Sequence, residues 1–457
     1  VFGRLKRVHF VGIGGVGMSG IALVLKNLGF EVTGSDVKES DVTRRLADAG
    51  VRVFIGHAAE NCADAQVVVY SSAVPSENPE LEAARGRNVP VIRRAEMLAE
   101  LMRMKYAVAI SGSHGKTTVT SLVGHILERA GMDPTTVIGG RVLSATDGAR
   151  LGQSEYLVAE ADESDRSFLM LYPTVAVVTN IEREHLDVYH DLADIKREFT
   201  RFVNRAPFYG AVVLCTDSPA VRSIWSRVKR RVVTYGLDSS ADFGARDVQL
   251  YAFSSAFTVT LGGREVGRFN LPMPGRHNVA NALAAVAVAS ELGVDFDTMA
   301  AALRVFSGVH RRLEKVGEKN GVSVFDDYGH HPTEIVVTLE ALRHAVGDRR
   351  VIVVFQPHRY TRTQLLAEEF AGCFDAADEL VITRIYAASE PPIAGVDSSL
   401  IVRAIEARGK PKPIVEYVDD PDEVADKLAQ RLKPGDVVIT QGAGNICRIG
   451  AELLQRL

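Results

Sequence analysis

The sequence has 457 residues, 46% hydrophobic and 24% charged, which excludes a disordered or collagen-like chain and suggests roughly three domains at about 150 residues each. Lys and Arg total 53 against 57 Asp and Glu, a formal net charge of −4, and a general nucleic-acid coat would want a basic excess. In chain order, short Val/Ile-rich runs at 8–13, 67–70, 107–110, 156–159, 175–178, 351–355 and 437–440 predict buried strands. Their continuous apolar character points to parallel sheets covered on both faces. Helical periodicity follows at 18–28, 116–130, 333–346 and 446–457, and strand, loop and helix in repetition predict an α/β fold. Residues 257–261, Gly262-Gly263 and 268–271 predict a hairpin. Two stretches read as joints, the charged helical 93–105 and the polar, basic 307–319. They divide the chain into 1–104, 105–310 and 311–457.

Cys62, Cys215, Cys373 and Cys447 form no CxxC pair and read as reduced packing thiols. No apolar run approaches the roughly 18 residues of a membrane span, and residues 1–10 hold no signal-peptide core. A cytoplasmic protein with neither membrane nor nucleic acid as partner is expected. The first residue is Val1, which leaves an initiator Met or a short leader open. No heptads or large apolar stripe call for assembly, and the oligomeric state is left open.

Two glycine-rich loops follow predicted strands. The first, Gly12-Ile13-Gly14-Gly15-Val16-Gly17, opens a helix at Met18 and Ser19, with Asp36 about twenty residues on. Glycines there permit a tight turn and bring backbone N–H groups to a pyrophosphate, and the spacing matches a dinucleotide fingerprint. The second, Gly112-Ser113-His114-Gly115-Lys116-Thr117-Thr118, is a shortened phosphate loop, with Ile110 at the first glycine position of the full pattern. Lys116 can reach β- and γ-phosphates, and a Thr117 or Thr118 hydroxyl can bind Mg²⁺. An NAD enzyme does not need an ATP loop. Two anion loops fit better with ATP and a second phosphate-bearing substrate such as a UDP-sugar.

Acids at 160–165 (EADESD) follow a strand and suit Mg²⁺. His185, after another strand, is a second ligand candidate. His277 could stack on a base, with Asn278 or Asn281 reading its edge, although Asn is also a good N-cap.

Together, residues 10–22 (FVGIGGVGMSGIA), 112–118, 160–165, 274–281, 326–334 (DDYGHHPTE), 355–363 (FQPHRYTRT) and 441–446 (QGAGNI) resemble the muramyl ligase family of peptidoglycan synthesis, in order over essentially the whole chain. The resemblance implies three α/β domains: an N-terminal Rossmann-like domain for the UDP-sugar, a central P-loop ATPase-like parallel sheet, and a C-terminal Rossmann-like domain for the amino acid. It implies ATP-dependent joining of L-alanine to the carboxylate of UDP-N-acetylmuramate through an acyl phosphate, with ADP and phosphate released. ATP and Mg²⁺, with Mn²⁺ as a substitute, are the implied cofactors.

On that pattern Gly12, Gly14, Gly15, Gly17, Met18, Ser19, Asp36, Ser71 and Ser72 would form the UDP-sugar site. Gly112 to Thr118, His277, Asn278, Asn281, Arg312 and Asp327 would bind ATP, and Thr117, Glu160 and His185 the metal. Tyr328, His330, His358, Arg359 and Arg362 would hold the amino acid. The expected catalytic set is Lys116, His185, Arg312, His330, His358, Arg359 and Arg362. Arg359 and Arg362, three apart, share a face if helical and could clamp a carboxylate. Ser113 stands where the family usually has Thr, and Cys447-Arg448 where Gly-Lys is usual. No Lys lies between Glu160 and His185, so no carbamylated lysine is expected. The alternatives are a ligase attaching a recycled murein tripeptide to the same UDP-sugar, an NAD(P)-dependent oxidoreductase using the first loop, and a non-enzymatic ATP-driven switch.

Overall fold

The computed structural model describes residues 5–71, 73–138, 141–142, 152–185, 187–237, 240–388, 390–410 and 413–457. Ser72 of the expected sugar-nucleotide site lies outside them. The chain forms two compact units. One comprises Val1–Asp247, Phe257–Phe269 and Val279–Phe306; the other comprises Val248–Ala256, Asn270–Asn278 and Ser307–Leu457.

Three sheets carry the fold. In the first, β1 (Arg7–Val11), β2 (Glu31–Asp36), β3 (Arg52–Ile55), β4 (Val67–Tyr70) and β5 (Val91–Arg93) lie in the order β3-β2-β1-β4-β5, all parallel. The second contains β6 (Tyr106–Ser111), β7 (Thr135–Ile138), β8 (Arg141–Val142), β9 (Tyr156–Glu160), β10 (Val175–Val178), β11 (Ala211–Cys215), β12 (Val232–Gly236), β13 (Phe243–Leu250), β14 (Ser255–Leu261) and β15 (Arg264–Leu271). Their order is β15-β14-β13-β12-β11-β10-β6-β9-β7-β8. The third orders β16 (Glu314–Lys319), β17 (Val322–Asp327), β18 (Val351–Phe355), β19 (Glu379–Thr383), β20 (Ile414–Val418) and β21 (Val437–Gln441) as β16-β17-β21-β18-β19-β20.

The continuous apolar runs have the expected physical meaning. In the third sheet Val351, Val353 and Phe355 pack into one buried cluster while Ile352 and Val354 pack into another, because successive side chains point to opposite faces. The predicted hairpin is present, its turn carrying Gly262 and Gly263 at φ 55° and 79°, conformations that glycine adopts without steric cost.

One expectation needs correction. The first strand ends at Val11, since Gly12 turns to φ 78° and the chain leaves the sheet. The charged helical stretch expected at 93–105 is the helix Arg94–Arg103, whose Ala95, Met97, Leu98, Ala99, Leu101 and Met102 are buried. Its apolar residues join one core shared by the first two sheets, and the charges that suggested a joint lie on its outer face. The expected joint at 307–319 contains an edge strand, β16, antiparallel to β17. Cys62, Cys215 and Cys373 are buried free thiols, as packing residues should be. Among the described residues no helix is long and apolar enough to cross a membrane.

One buried charge stands out in the first sheet. Glu80, on the helix Pro79–Gly86, has no solvent exposure. Burial alone would raise its pKa, but hydrogen bonds from His9, Ser35 and Asn61 outweigh that and hold it at about 2, against an ordinary 4.5. A depressed pKa stabilises the fold fully above 4.5, and that contribution disappears as pH falls through about 2. The gap is worth about 3 kcal/mol. Urea midpoints measured from pH 5 to 2 should therefore fall more steeply in the native protein than in Glu80→Gln.

Candidate active site

The first glycine loop leaves β1 and enters the helix Val16–Asn27. The Ser35 carbonyl accepts both the Gly12 and Ile13 N–H groups at 2.9 Å, and Asp36 Oδ2 accepts the Gly14 N–H at 2.8 Å. Asp36 thus braces the loop directly. A Cβ on Gly14 would sit 2.9 Å from that same oxygen. Ser71 lies beside Gly12, and the Arg94 side chain lies across Gly17 where any side chain would collide with it. Sequence reasoning missed Arg94, which is 77 positions from Gly17. The Met18 side chain is 1% exposed and packs into the core, which leaves its backbone as its share of the loop. Ser19 follows it in the first turn, its N–H given to Gly15.

The second loop joins β6 to the helix Lys116–Arg129. Gly112 and Gly115 take φ 139° and 84°. The segment after β10 braces the loop. Asn180 Oδ1 accepts the His114 N–H at 2.8 Å, the Thr179 hydroxyl donates to the His114 carbonyl at 2.5 Å, and the Ser113 hydroxyl accepts the Glu182 N–H at 2.9 Å. That last bond needs only a hydroxyl, which explains why Ser serves at position 113. Thr117 is half-buried at the helix start and Thr118 is buried. Asn281 reaches the loop as well, since a Cβ on Gly115 would sit 2.7 Å from its Oδ1.

Lys116 Nζ donates to the carbonyls of Gly112 at 2.5 Å and Ser113 at 3.0 Å, and pairs with Glu163 Oε1 at 3.0 Å. Burial would lower its pKa, but the charges of Glu163, Asp162 and Glu184 raise it above the ordinary lysine value, so the ammonium stays charged. The strand ends behind it are in register, Glu160 beside Ile110 and Val178 beside Ser111. The acidic string, the loop and His185 therefore share one edge of the second sheet.

For a metal, the expected ligands were Thr117, Glu160 and His185. Glu163, Glu184 and His185 bring ligand atoms within 4.8 Å of one another, so two further acids stand beside the expected His185. His185 Nε2 lies 3.6 Å from Glu163 Oε1 and 3.8 Å from Glu184 Oε2. Glu163 Oε2 is buried without a hydrogen-bond partner. Two carboxylates, an imidazole and an unsatisfied buried oxygen fit a divalent cation such as Mg²⁺ or Mn²⁺. Glu163 and Glu184 lie inside the two strings singled out from the sequence, but residue type alone does not say which acid of a loop turns inward. The turn is made by Arg166 at φ 63°, whose guanidinium bonds Val188 O and Asp194, and by the Tyr189 hydroxyl donating to Glu163 O at 2.5 Å. Glu163→Gln should weaken Mn²⁺ binding on the order of tenfold or more, measured by electron paramagnetic resonance titration.

At the start of the helix Arg276–Glu291, burial and then Arg312 push the His277 pKa down to about 4. The imidazole is neutral at pH 7, as stacking on a base requires. Asn278 is buried and its amide donates to the Pro274 carbonyl at 2.7 Å.

In the third sheet β17, β18 and β21 are parallel neighbours, with Asp327 and Phe355 both beside Gln441. Three sequence strings thus meet at one sheet edge. Asp327 is buried, which raises its pKa to about 6 against the opposing Arg312 charge. Its oxygens accept the N–H groups of Leu313 at 2.9 Å and Gly329 at 2.8 Å. These bonds shape the loops on either side of it. Arg312 faces Glu334 at 3.6 Å and the Tyr328 ring at 5.4 Å. Arg311, by contrast, holds Asp326 and the Gly442 carbonyl.

Rings of Tyr328, His330, His358 and Tyr386 form a row with successive centroids 5.4, 5.3 and 5.8 Å apart. Arg359, at φ 71°, precedes the short helix Tyr360–Leu365 that contains Arg362. Arg362 Nη1 lies 3.1 Å from His358 Nδ1. Burial, then His330, Arg362 and Arg359, depress the His358 pKa to about 3. So the imidazole is neutral, its Nδ1 accepts from Arg362, and its proton sits on Nε2. A group this weakly basic positions Arg362 and is a poor proton acceptor. Tyr386 and Glu390, which faces Arg359 at 3.8 Å, had no signal in the sequence.

A dinucleotide-like loop, a phosphate loop with an acid–imidazole cluster, and an Arg–His row at a third sheet edge define an ATP-using enzyme of the ligase type. The chain belongs to the Mur ligase family. Three family profiles match it: "Mur ligase family, catalytic domain" over residues 7–106, "Mur ligase middle domain" over 110–289 and "Mur ligase, glutamate ligase domain" over 311–444. Similar proteins include the UDP-N-acetylmuramate–L-alanine ligases of Geobacter sp. (strain M21), 52% identical over all of this chain and 99% of that one, and of Trichlorobacter lovleyi, 54% identical over the whole of both. The crystal structure of the UDP-N-acetylmuramate–alanine ligase of Thermotoga maritima is 28% identical with a TM-score of 0.81, covering 99% of each chain. A murein peptide ligase from Psychrobacter arcticus is 26% identical with a TM-score of 0.70, covering 99% of this chain and 98% of that one.

Proposed function

We propose that this chain joins L-alanine to the carboxylate of UDP-N-acetylmuramate, using ATP and releasing ADP and phosphate, in cytoplasmic synthesis of peptidoglycan precursors. The observation that carries the reading is the pair of anion loops built on one core, of which only the second has a phosphate-reaching lysine. An oxidoreductase accounts for the first loop alone. The names of the relatives similar over the full chain favour alanine over a tripeptide.

In this reading residues 1–104 hold the UDP-sugar, with Asp36 and Ser71 beside the first loop. Residues 105–310 hold ATP, and residues 311–457 hold the amino acid. Lys116 neutralises the β- and γ-phosphate oxygens, and loop N–H groups add to it. Asn281 and the neutral His277 take the base. Arg312 reaches toward the transferred phosphoryl group. Glu163, Glu184 and His185, with Glu160 at the end of β9 and Thr117 at the helix start, would hold the divalent cation, which would supply neutralisation of phosphate charge. The acyl phosphate is a reactive electrophile, so the amine needs orientation more than a strong base. Orientation is worth about 7–11 kcal/mol in favourable cases. Arg362, held by His358, and Arg359 grip the amino acid's carboxylate, with Tyr328 and His330 alongside.

The test is ADP release with ATP, Mg²⁺ and UDP-N-acetylmuramate across L-alanine, glycine, L-serine and the murein tripeptide. L-Alanine should give the highest kcat/KM, although one methyl against glycine is worth only about 1–3 kcal/mol. Product with the tripeptide alone would reassign the chain to the recycling reaction, and no stimulation by any amine would end the ligase reading.

A further inference from the structure

The buried cluster around Glu80 lies directly behind the first glycine loop. Glu80 Oε2 accepts the Ser35 hydroxyl at 2.5 Å and lies 3.3 Å from His9 Nε2. Glu80 Oε1 accepts from Asn61 Nδ2 at 2.7 Å and from the Ala58 N–H at 3.2 Å. His9 Nδ1 meets the Thr33 hydroxyl at 2.8 Å, and the Nε2 side of the ring faces the Glu80 carboxylate. His57 Nδ1 closes the cluster at 3.0 Å from Ser35 Oγ. Glu80, Ser35 and His9 have no solvent exposure.

A buried carboxylate with four donors drawn from β1, β2 and the segment after β3 is costly to desolvate. An apolar residue would fill the space more cheaply if packing were its only task. What the carboxylate fixes is Ser35. The backbone carbonyl of that residue receives Gly12 N–H and Ile13 N–H, and the next residue, Asp36, receives Gly14 N–H. Three successive N–H groups of the loop backbone therefore hang on the end of β2, whose side-chain tether is Glu80.

We propose that Glu80 is a positioning residue for the first loop. Through Ser35 it sets where the loop's N–H groups stand, and so how tightly the sugar nucleotide's diphosphate is held. This rests on the reading of the first loop as the UDP-sugar site.

Glu80→Gln replaces one acceptor by a donor facing a donor. It should raise KM for UDP-N-acetylmuramate about tenfold or more, the scale expected from a sub-ångström displacement of positioning groups, while KM for ATP and kcat at saturating sugar hold. Ser35→Ala cuts the tether and leaves the other Glu80 bonds. It should move the same constant in the same direction with a smaller loss of Tm, and it carries the test if Glu80→Gln does not fold. Gly14→Ala disturbs the loop itself. If Gly14→Ala raises the sugar KM while Ser35→Ala and a folded Glu80→Gln leave it unchanged, or raise the ATP KM equally, the positioning role is wrong and the site assignment stands. If Gly14→Ala leaves the sugar KM unchanged, the site assignment fails and the positioning role fails with it.

Discussion

Lys116→Ala should lower the rate of ADP release at least about 10³-fold. Removing one preorganised group that meets developing charge costs about 10²–10³ in turnover, and here a second loss adds to it. Lys116 is the counter-charge of Glu163, with Asp162 and Glu184 close by. Without the ammonium these acids face the incoming triphosphate uncompensated, so KM for ATP should rise along with the fall in kcat. Lys116→Arg should not rescue. Nζ is seated between the Gly112 and Ser113 carbonyls and Glu163, a point-charge seat that a planar guanidinium does not fit. Truncation also strands a buried carboxylate, which destabilises the fold. Adding Glu163→Gln to Lys116→Ala should restore Tm and leave ADP release undetectable, separating the fold effect from the chemical one.

Gly112→Ala should abolish ATP binding and lower stability by about 2–4 kcal/mol, the combined scale of a forbidden backbone conformation and an overpacked contact. The residue sits at φ 139°, where an L side chain is strained whatever room it has. There is no room either, because a Cβ would run into the Thr179 hydroxyl and stand 3.1 Å from the Asn180 backbone. Thr179→Ala removes the first obstacle and also the hydroxyl that braces the His114 carbonyl. The double variant should regain part of its Tm and none of its ATP affinity. Denaturant melts and calorimetric ATP titration check the two halves.

Where sequence reasoning succeeded, the chemistry was local. Gly12, Gly112 and Gly115 signal their loops because a turn against a helix start needs positive φ within a few residues. The third sheet announces itself because both faces of β18 and β21 are buried. Where it fell short, the partners are distant in sequence or the pattern is masked. Arg94 meets Gly17, Glu80 meets Ser35 and His9, and Tyr386 joins the His330–His358 row, each through folding alone. The helix Arg94–Arg103 was legible as a charged helical stretch, but its buried Ala, Met and Leu stripe was not, because Arg and Glu residues interrupt the apolar pattern. Glu163 was not singled out beside Glu160 because only the turn at Arg166 shows which carboxylate faces Lys116.

The core shared by the first two sheets runs without a break from Val8 to Ile224 and includes the helix Arg94–Arg103. The first and second glycine loops are thus mounted on a single packed block. A ligand that binds only the folded block stabilises all of it. UDP-N-acetylmuramate alone should protect the amides of the ATP loop from hydrogen exchange by global opening, and ATP should do the same for the first loop. Their thermal shifts should merge into one transition that reports both occupancies at once.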